Sequence, residues 1–259
     1  MAGDLVISTI NGQAIGTKNV IIDGNFNVNQ RGVSGTVTLA AGAYGHDRWK
    51  GGASGATYTF ATVANVTTLT ISAGSLIQVV EGLNLQSGTY TLSFSGTAQG
   101  KINGGSYSAS GVTGTATGGT NMSIEFNTGT LSLVQLEKGS TATSFDYRPY
   151  GTELALCQRY FQVLSGGVSG VSASATTFSG TVVFPVCMRS APASSVSAAY
   201  RVSDIIAASF TQSSGNVSNS LVNADSGVFS FANFTGMTTG KFALSANSST
   251  GNLLLSSEL

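Results

Sequence analysis

Between Val33 and Asn127 the chain is written in short β-branched and apolar runs, and glycine or asparagine closes nearly every one of them. Strand-like runs read at 17–22, 33–39, 56–63, 66–72, 77–80, 89–97, 106–115, 123–127 and 131–136. Turn residues separate them at Gly51-Gly52, Gly74, Gln86-Ser87-Gly88, Asn103-Gly104-Gly105, Gly118-Gly119 and Thr128-Gly129. This punctuation leaves no length for an amphipathic helix and favours antiparallel sheets packed face to face. About nine strands suit a jelly roll or a similar two-sheet sandwich. A second series reads at 168–174, 176–186, 194–197, 205–212, 217–222, 227–234, 241–246 and 253–255. The expected fold class is therefore all-β: an N-terminal jelly roll and a smaller C-terminal sandwich, joined by one short helix.

The joint is expected between Leu131 and Leu164. Leu131, Leu133 and Leu136 open it as a strand, the polar run Gly139–Ser144 can continue neither period, and Pro149 pushes Tyr147-Arg148 toward extended geometry. A helix follows, with Glu153 in its first turn and Gly166-Gly167 as its stop. Leu154, Cys157, Phe161 and Leu164 fall at i, i+3, i+7 and i+10, with Tyr160 beside them, so an apolar stripe needs a cover. A helix this short is marginal alone, and either the flanking sheets or sister copies must supply that cover. The aromatic row Phe229, Phe231 and Phe234 adds to the apolar surface a small domain must hide. The predicted boundaries are a leader at 1–16, a first domain at 17–148, a linker helix at 149–165 and a second domain at 166–259.

Charge excludes several partners. Only 8% of residues are charged, against about a quarter in an ordinary soluble domain, and eleven basic side chains equal eleven acidic ones. A neutral chain lacks the electrostatic footprint for nucleic acid or an anionic membrane surface. No stretch has the length to span a bilayer, so membrane insertion is not expected. The opening MAGDLVISTING has no basic segment followed by an apolar run and reads as no secretory signal. Within it, Leu5, Ile7 and Ile10 alternate well enough to add a strand to a partner's sheet.

Candidate chemistry is sparse. Cys157 and Cys187 have no metal-binding spacing and read as small core residues rather than a disulfide or a reactive thiol. His46, the single histidine, neighbours Asp47, but no nucleophile elbow accompanies it, so a satisfied or solvent-exposed histidine is expected. Asp23, Asp47 and Glu81 can be imagined as calcium ligands, although their spacing is not diagnostic. No catalytic residue, metal or cofactor is predicted. Tyr44, Tyr107 and Trp49 are the candidate carbohydrate-binding residues, since flat rings stack on sugars. Tyr44 and Tyr107 sit among Gly and Ser as loop residues do, whereas Trp49 has a competing role as a core anchor.

Three blocks carry a resemblance. The first is Gln135-Leu136-Glu137, Gly139, Ala142-Thr143, Phe145 and Arg148, then Glu153-Leu154 and Cys157-Gln158-Arg159-Tyr160-Phe161. It resembles the QLE-x-G-x-x-AT-x-F-E-x-R and EL-x-x-CQRYY junction of bacteriophage and prophage tail-fibre or receptor-binding proteins, with Asp146 for Glu and Phe161 for the second Tyr. The second is Asn19, Gly24 and Phe26, then Gln30-Arg31-Gly32 and Asp47-Arg48-Trp49. The third is Phe184-Pro185-Val186, Met188-Arg189 and Ala191-Pro192.

The resemblance implies a carbohydrate-binding-module-like jelly roll whose first and last strands lie close together. It also implies a virion protein, made in the host cytoplasm and displayed on the particle surface, which is not an enzyme. Expected partners are two sister copies in a homotrimer, with Leu154, Cys157, Phe161 and Leu164 at the interface, other virion proteins through Leu5, Ile7 and Ile10, and host-surface carbohydrate. Two alternatives stand beside it: a purely structural head fibre, decoration protein or collar spike, and a polysaccharide-degrading enzyme. The second needs two facing carboxylates, which eleven scattered acids do not suggest.

Overall fold

A computed structural model describes residues 9–10, 13–14, 18–166, 168–204, 209–245 and 251–259. The chain is all-β apart from one α-helix and a single 3-10 turn among those residues, and its strands pair antiparallel. It divides into two compact units, Met1–Leu154 with Leu259, and Ala155–Glu258. Of the predicted leader strand, Leu5 and Ile7 lie outside the described residues. Ile10 falls in the two-residue β1 (Thr9–Ile10), which pairs with β2 (Gln13–Ala14).

The first unit contains β3 (Val37–Leu39), β4 (Lys50–Val63), β5 (Val66–Val80), β6 (Gly88–Ser95), β7 (Gly100–Ile102), β8 (Val112–Ala116), β9 (Met122–Phe126) and β10 (Gly129–Lys138). Two long strands change partners and so curl the sheet over itself. β5 pairs with β4 from Val66 to Ile77, and on its other edge with the start of β10 in its first half and with β9 in its second. After Leu131 β10 leaves β5 and pairs with β6 from Ser132, with a register irregularity at Leu133, whose φ is 50°. Phe94 of β6 meets Phe126 of β9 edge-on at 5.0 Å, and Trp49 lies 5.9 Å from Phe126. The apolar core sits there, between the two layers.

Gly74 was read as a turn, yet β5 runs through it. At φ +70° its Cα passes so close to the Gly55 carbonyl that a Cβ would stand 2.1 Å from that oxygen. Glycine here bends a continuous strand instead of ending it. The expected strand at 17–22 is not regular among the described residues. Residues 19–24 run beside β10 all the same, with Val20 N–H donating to Leu136 O (2.9 Å) and Val134 N–H to Gly24 O (2.7 Å).

The helix α1 (Tyr150–Gln158) is shorter than the sequence suggested. Phe161 and Leu164 belong instead to β11 (Phe161–Leu164), which pairs with β20 (Leu253–Ser256). The second unit adds β12 (Ser169–Ser172), β13 (Phe178–Val183), β14 (Ala193–Val196), β15 (Arg201–Asp204), β16 (Ser209–Thr211), β17 (Val217–Val222), β18 (Ser226–Phe231) and β19 (Phe242–Ser245). A three-stranded sheet, β11-β20-β14, and a seven-stranded sheet, β16-β15-β19-β12-β13-β18-β17, enclose a core of Phe178, Tyr200, Phe229, Phe231, Phe234 and Leu255. Tyr200 stacks on Phe231 at 4.5 Å.

These positions correct the expected trimer stripe. Cys157 and Phe161 are buried within the single chain, Leu154 and Leu164 are half-buried, and Phe229, Phe231 and Phe234 are core. The chain itself supplies the cover that sister copies were expected to give, because the helix stops and a strand carries its last two apolar residues into the sheet. The cysteines are both free; Cys157 is buried as expected, and Cys187 is exposed.

Candidate functional site

The residues of the first two motif blocks meet although more than a hundred positions separate them. Asn19 Oδ1 accepts from Ile21 N–H and Leu136 N–H, and its Nδ2 donates to Val134 O. Gln135 Oε1 accepts from Asp146 N–H (2.8 Å), while its Nε2 donates to Glu137 Oε1 (2.8 Å). Glu137 also takes the Thr143 N–H and hydroxyl. Arg148 donates from Nε to Glu153 Oε2 at 2.8 Å and from its terminal nitrogens to the carbonyls of Asn19 and Ile21. Glu153 Oε1 accepts the Asp23 N–H at 2.5 Å. Gly24 is fixed by the same crowding, since a Cβ there would lie 2.1 Å from Val134 O.

This network holds a loop, 23–29, against the segment that enters α1. Trp49 lies beneath it, fully buried, with its indole N–H on Asp23 O at 3.0 Å. Asp47 accepts from the Gln30 backbone (2.6 Å) and side chain (2.7 Å), and Arg48 donates to Val79 O (2.8 Å). Burial pushes the Asp23 carboxyl well above the usual range, the nearby charges of Asp47 and Glu153 adding to it. No group of acids, histidines and cysteines that can hold a metal ion occurs among the described residues.

Above this layer opens a cavity of about 760 Å³. Three parts of the first unit form it: Asn25–Asn29 with His46, the tip of the β4–β5 hairpin, and Tyr147–Glu153. The hairpin turn has φ of 48° at Ala64 and 61° at Asn65, the left-handed pair that a tight two-residue connection requires. Phe26, also in the lining, has φ 54°. Such values persist only where surrounding contacts impose them. Here a chain of bonds does so: Thr62 Oγ1 to Thr67 Oγ1 (2.8 Å), Thr67 to Asn27 Oδ1 (2.9 Å), and Asn27 Nδ2 to Asn65 O (2.8 Å).

The apolar wall is Phe26, Phe60 and His46. His46 meets Phe60 edge-on at 4.5 Å, and its Nδ1 lies 3.0 Å from the Tyr58 hydroxyl. Burial lowers its pKa to about 4, so it is neutral at pH 7. At the mouth, Tyr147 and Tyr150 are 59% and 60% exposed, and Phe145 braces Tyr147 edge-on at 4.8 Å. The hollow thus combines a rigid hydrogen-bonding rim, an aromatic wall and two presented tyrosine rings, which suits a polar organic ligand with one apolar face.

None of the three aromatics proposed from sequence lines this cavity. Trp49 cannot stack on a ligand, because the ring that a sugar would need fills the core. Tyr44 is half-buried, with the Arg31 guanidinium 5.1 Å from its ring centre. Tyr107 borders a smaller hollow of about 370 Å³, where its hydroxyl donates to Glu125 (2.8 Å) and Lys101 lies 4.3 Å over its ring. Ser75 also donates to Glu125, and burial is outweighed by these bonds, which hold that carboxyl below its usual range.

Sequence reasoning missed Tyr147 and Tyr150. The available signal was Pro149 between them, which keeps Tyr147-Arg148 extended and sets Tyr150 at the first position of α1. Fold and site together define a two-unit, all-β protein with a polar, aromatic-edged cavity in its first unit. Comparison of the sequence with protein-family models and with curated proteins finds no match.

Proposed function

We propose that the chain is a bacteriophage or prophage virion protein, a tail-fibre or receptor-binding subunit whose first unit is a carbohydrate-binding-module-like jelly roll. In this reading the particle displays the protein, and the cavity binds host-surface glycan. The observation that carries the glycan assignment is the cavity lining: amides and hydroxyls already held in place, with Tyr147 and Tyr150 exposed at the mouth. Preorganised polar groups beside flat rings match the two faces of a pyranose, which carries hydroxyls at its edge and C–H bonds on its face. The three motif blocks support the virion assignment.

Binding rather than cleavage is favoured because Glu153 is the one acid among the residues lining the cavity, and Arg148 and the Asp23 N–H already occupy it. Glycoside hydrolysis uses a pair of opposed carboxyl groups. Purified protein should bind host cells and their isolated surface polysaccharide without releasing reducing sugar. Absence of binding to both rejects the receptor role.

A second reading, a purely structural virion component, draws on the outer face of the seven-stranded sheet. Val171 stands opposite Phe242, Ser169 opposite Leu244, and Thr181 opposite Val228, which faces Leu221. Val171, Val183, Leu221, Phe242 and Leu244 are all at least 44% exposed on that face. A sheet face carrying these apolar side chains suits association of copies, and ~800 Å² buried per partner is the usual scale. The proposed homotrimer rests on this face rather than on the helix stripe. Light scattering at micromolar concentration should give three times the chain mass, and a monomer mass rejects it. Antibody labelling of particles distinguishes a fibre tip from a head or collar location.

A further inference from the structure

The cavity's charges are answered from within. Arg148 is 8% exposed at its side chain and bonds through all three guanidinium nitrogens, to Glu153, Asn19 O and Ile21 O. Both oxygens of Glu153 accept, one from Arg148 and one from Asp23 N–H. His46, in the apolar wall of the lining, is neutral at pH 7. A ligand carboxylate entering here meets no unpaired cation, and a ligand ammonium meets no unpaired anion. Placing an isolated charge in such a hollow is unfavourable unless it is paired.

The amides differ among themselves in the same way. Asn27 is spent on Thr67 and Asn65. Asn29 closes a local turn, with Nδ2 on Val33 O and Oδ1 accepting Val33 N–H. Asn65 is exposed at the hairpin tip, whereas Asn25 has its Oδ1 buried without a partner. Leaving such an acceptor unmade costs about 1–3 kcal/mol. The terminal torsion of asparagine is broad and roughly two-fold, so a half-turn exchanges the places of Oδ1 and Nδ2. Either end then meets a hydroxyl, which donates and accepts equally well.

We propose that the cavity selects an uncharged saccharide, a hexose or N-acetylhexosamine unit, with the Asn25 amide as its polar anchor and Tyr147 and Tyr150 as its stacking surface. Uronic acids, sialic acids and free amino sugars are disfavoured. This inference rests on the glycan-binding reading given above and narrows it.

The test is an array of defined neutral glycans, uronates, sialosides and free amino sugars, probed with the whole protein at pH 7. Hits are then titrated calorimetrically. Neutral glycans should bind at least tenfold more tightly than charged counterparts of the same length. Asn25→Leu should weaken neutral binding at least tenfold. Tyr150→Ala, at an exposed position, should weaken it severalfold with an unchanged unfolding midpoint, which keeps the test valid should Asn25→Leu fold poorly. Charged glycans binding as tightly as neutral ones, or neutral binding that survives both substitutions, overturns the proposal while the glycan-binding reading stands. No binding by any glycan removes both.

Discussion

The two units solve the same problem, closing a β-sandwich, with different materials. In the first, an apolar core around Trp49 and Phe126 is joined by a buried polar layer of Asp23, His46, Asp47, Arg48, Gln135, Glu137 and Glu153. In the second the centre is aromatic, with Phe178, Tyr200, Phe229 and Phe231 at no more than 1% exposure. Apolar packing is non-directional and fills a sandwich well. Hydrogen bonds to buried polar groups are directional, and they hold irregular backbone in one arrangement. The polar layer lies under the loops that make the cavity, and the second unit's aromatic core lies under regular ladders. The contrast teaches that the first unit adds directional bonds to its apolar packing to fix the irregular loops around the cavity.

The largest effect separates the two cores outright. Phe231→Ala should destabilise the second unit by about 4 kcal/mol, the usual scale for truncating a buried phenylalanine, while the folded protein keeps its saccharide affinity. Urea unfolding with calorimetry of the same samples checks this, and loss of affinity would break the comparison. Next, Glu153→Gln removes the buried partner of Arg148 and should cost about 3 kcal/mol. Because it also frees the Asn25–Asn29 loop, saccharide affinity should fall with it.

A third prediction concerns pH. His46 stays neutral in the folded chain down to about 4, whereas an unfolded histidine takes up its proton near 6.5. Its contribution is full above 6.5 and is lost as pH falls toward 4, about 1.4 kcal/mol per unit and roughly 3 kcal/mol in all. Asp23 has the opposite sign: its raised pKa gives a contribution full below the ordinary value of 3.8 and lost as pH rises through the raised value. The clean measurement is therefore a difference. Between pH 7 and 4, unmodified protein should lose about 3 kcal/mol more than His46→Gln. Equal losses would show that the histidine is not held neutral. The smallest effect sharpens the contrast between cavity and surface. Lys101→Met, at the half-buried pair with Glu125 (3.0 Å), should cost less than ~1 kcal/mol and leave glycan binding unchanged.

Strand positions were legible where turns are encoded locally. Val217–Val222 matches its expected range, and Gly227–Phe234 and Lys241–Ala246 differ from the observed β18 and β19 by a few residues at their ends. Reading failed where a residue has two uses. Gly74 bends a strand rather than ending it, and the apolar positions after Gln158 fit both a helical spacing and the alternation of a strand. Ladder hydrogen bonds with β20 decide that second case, and no local pattern contains them. The site aromatics were misjudged for a similar reason. Trp49 has the right chemistry for a sugar, but Asp23 O and Phe126 claim it.

The order of short β-branched runs and glycine or asparagine turns determined by itself an all-β chain in two parts, and its composition a balanced formal charge. Those properties depend on near neighbours and on sums over the chain. Only the tertiary structure decided that Asn25, Phe60, Asn65, Tyr147 and Tyr150 share one cavity, and that Asn19, Gln135 and Arg148 hold it open. Contacts spanning more than a hundred residues arise when a curled sheet brings distant segments together. The pairing register that makes them close, unlike a turn, has no signature in any short stretch of sequence.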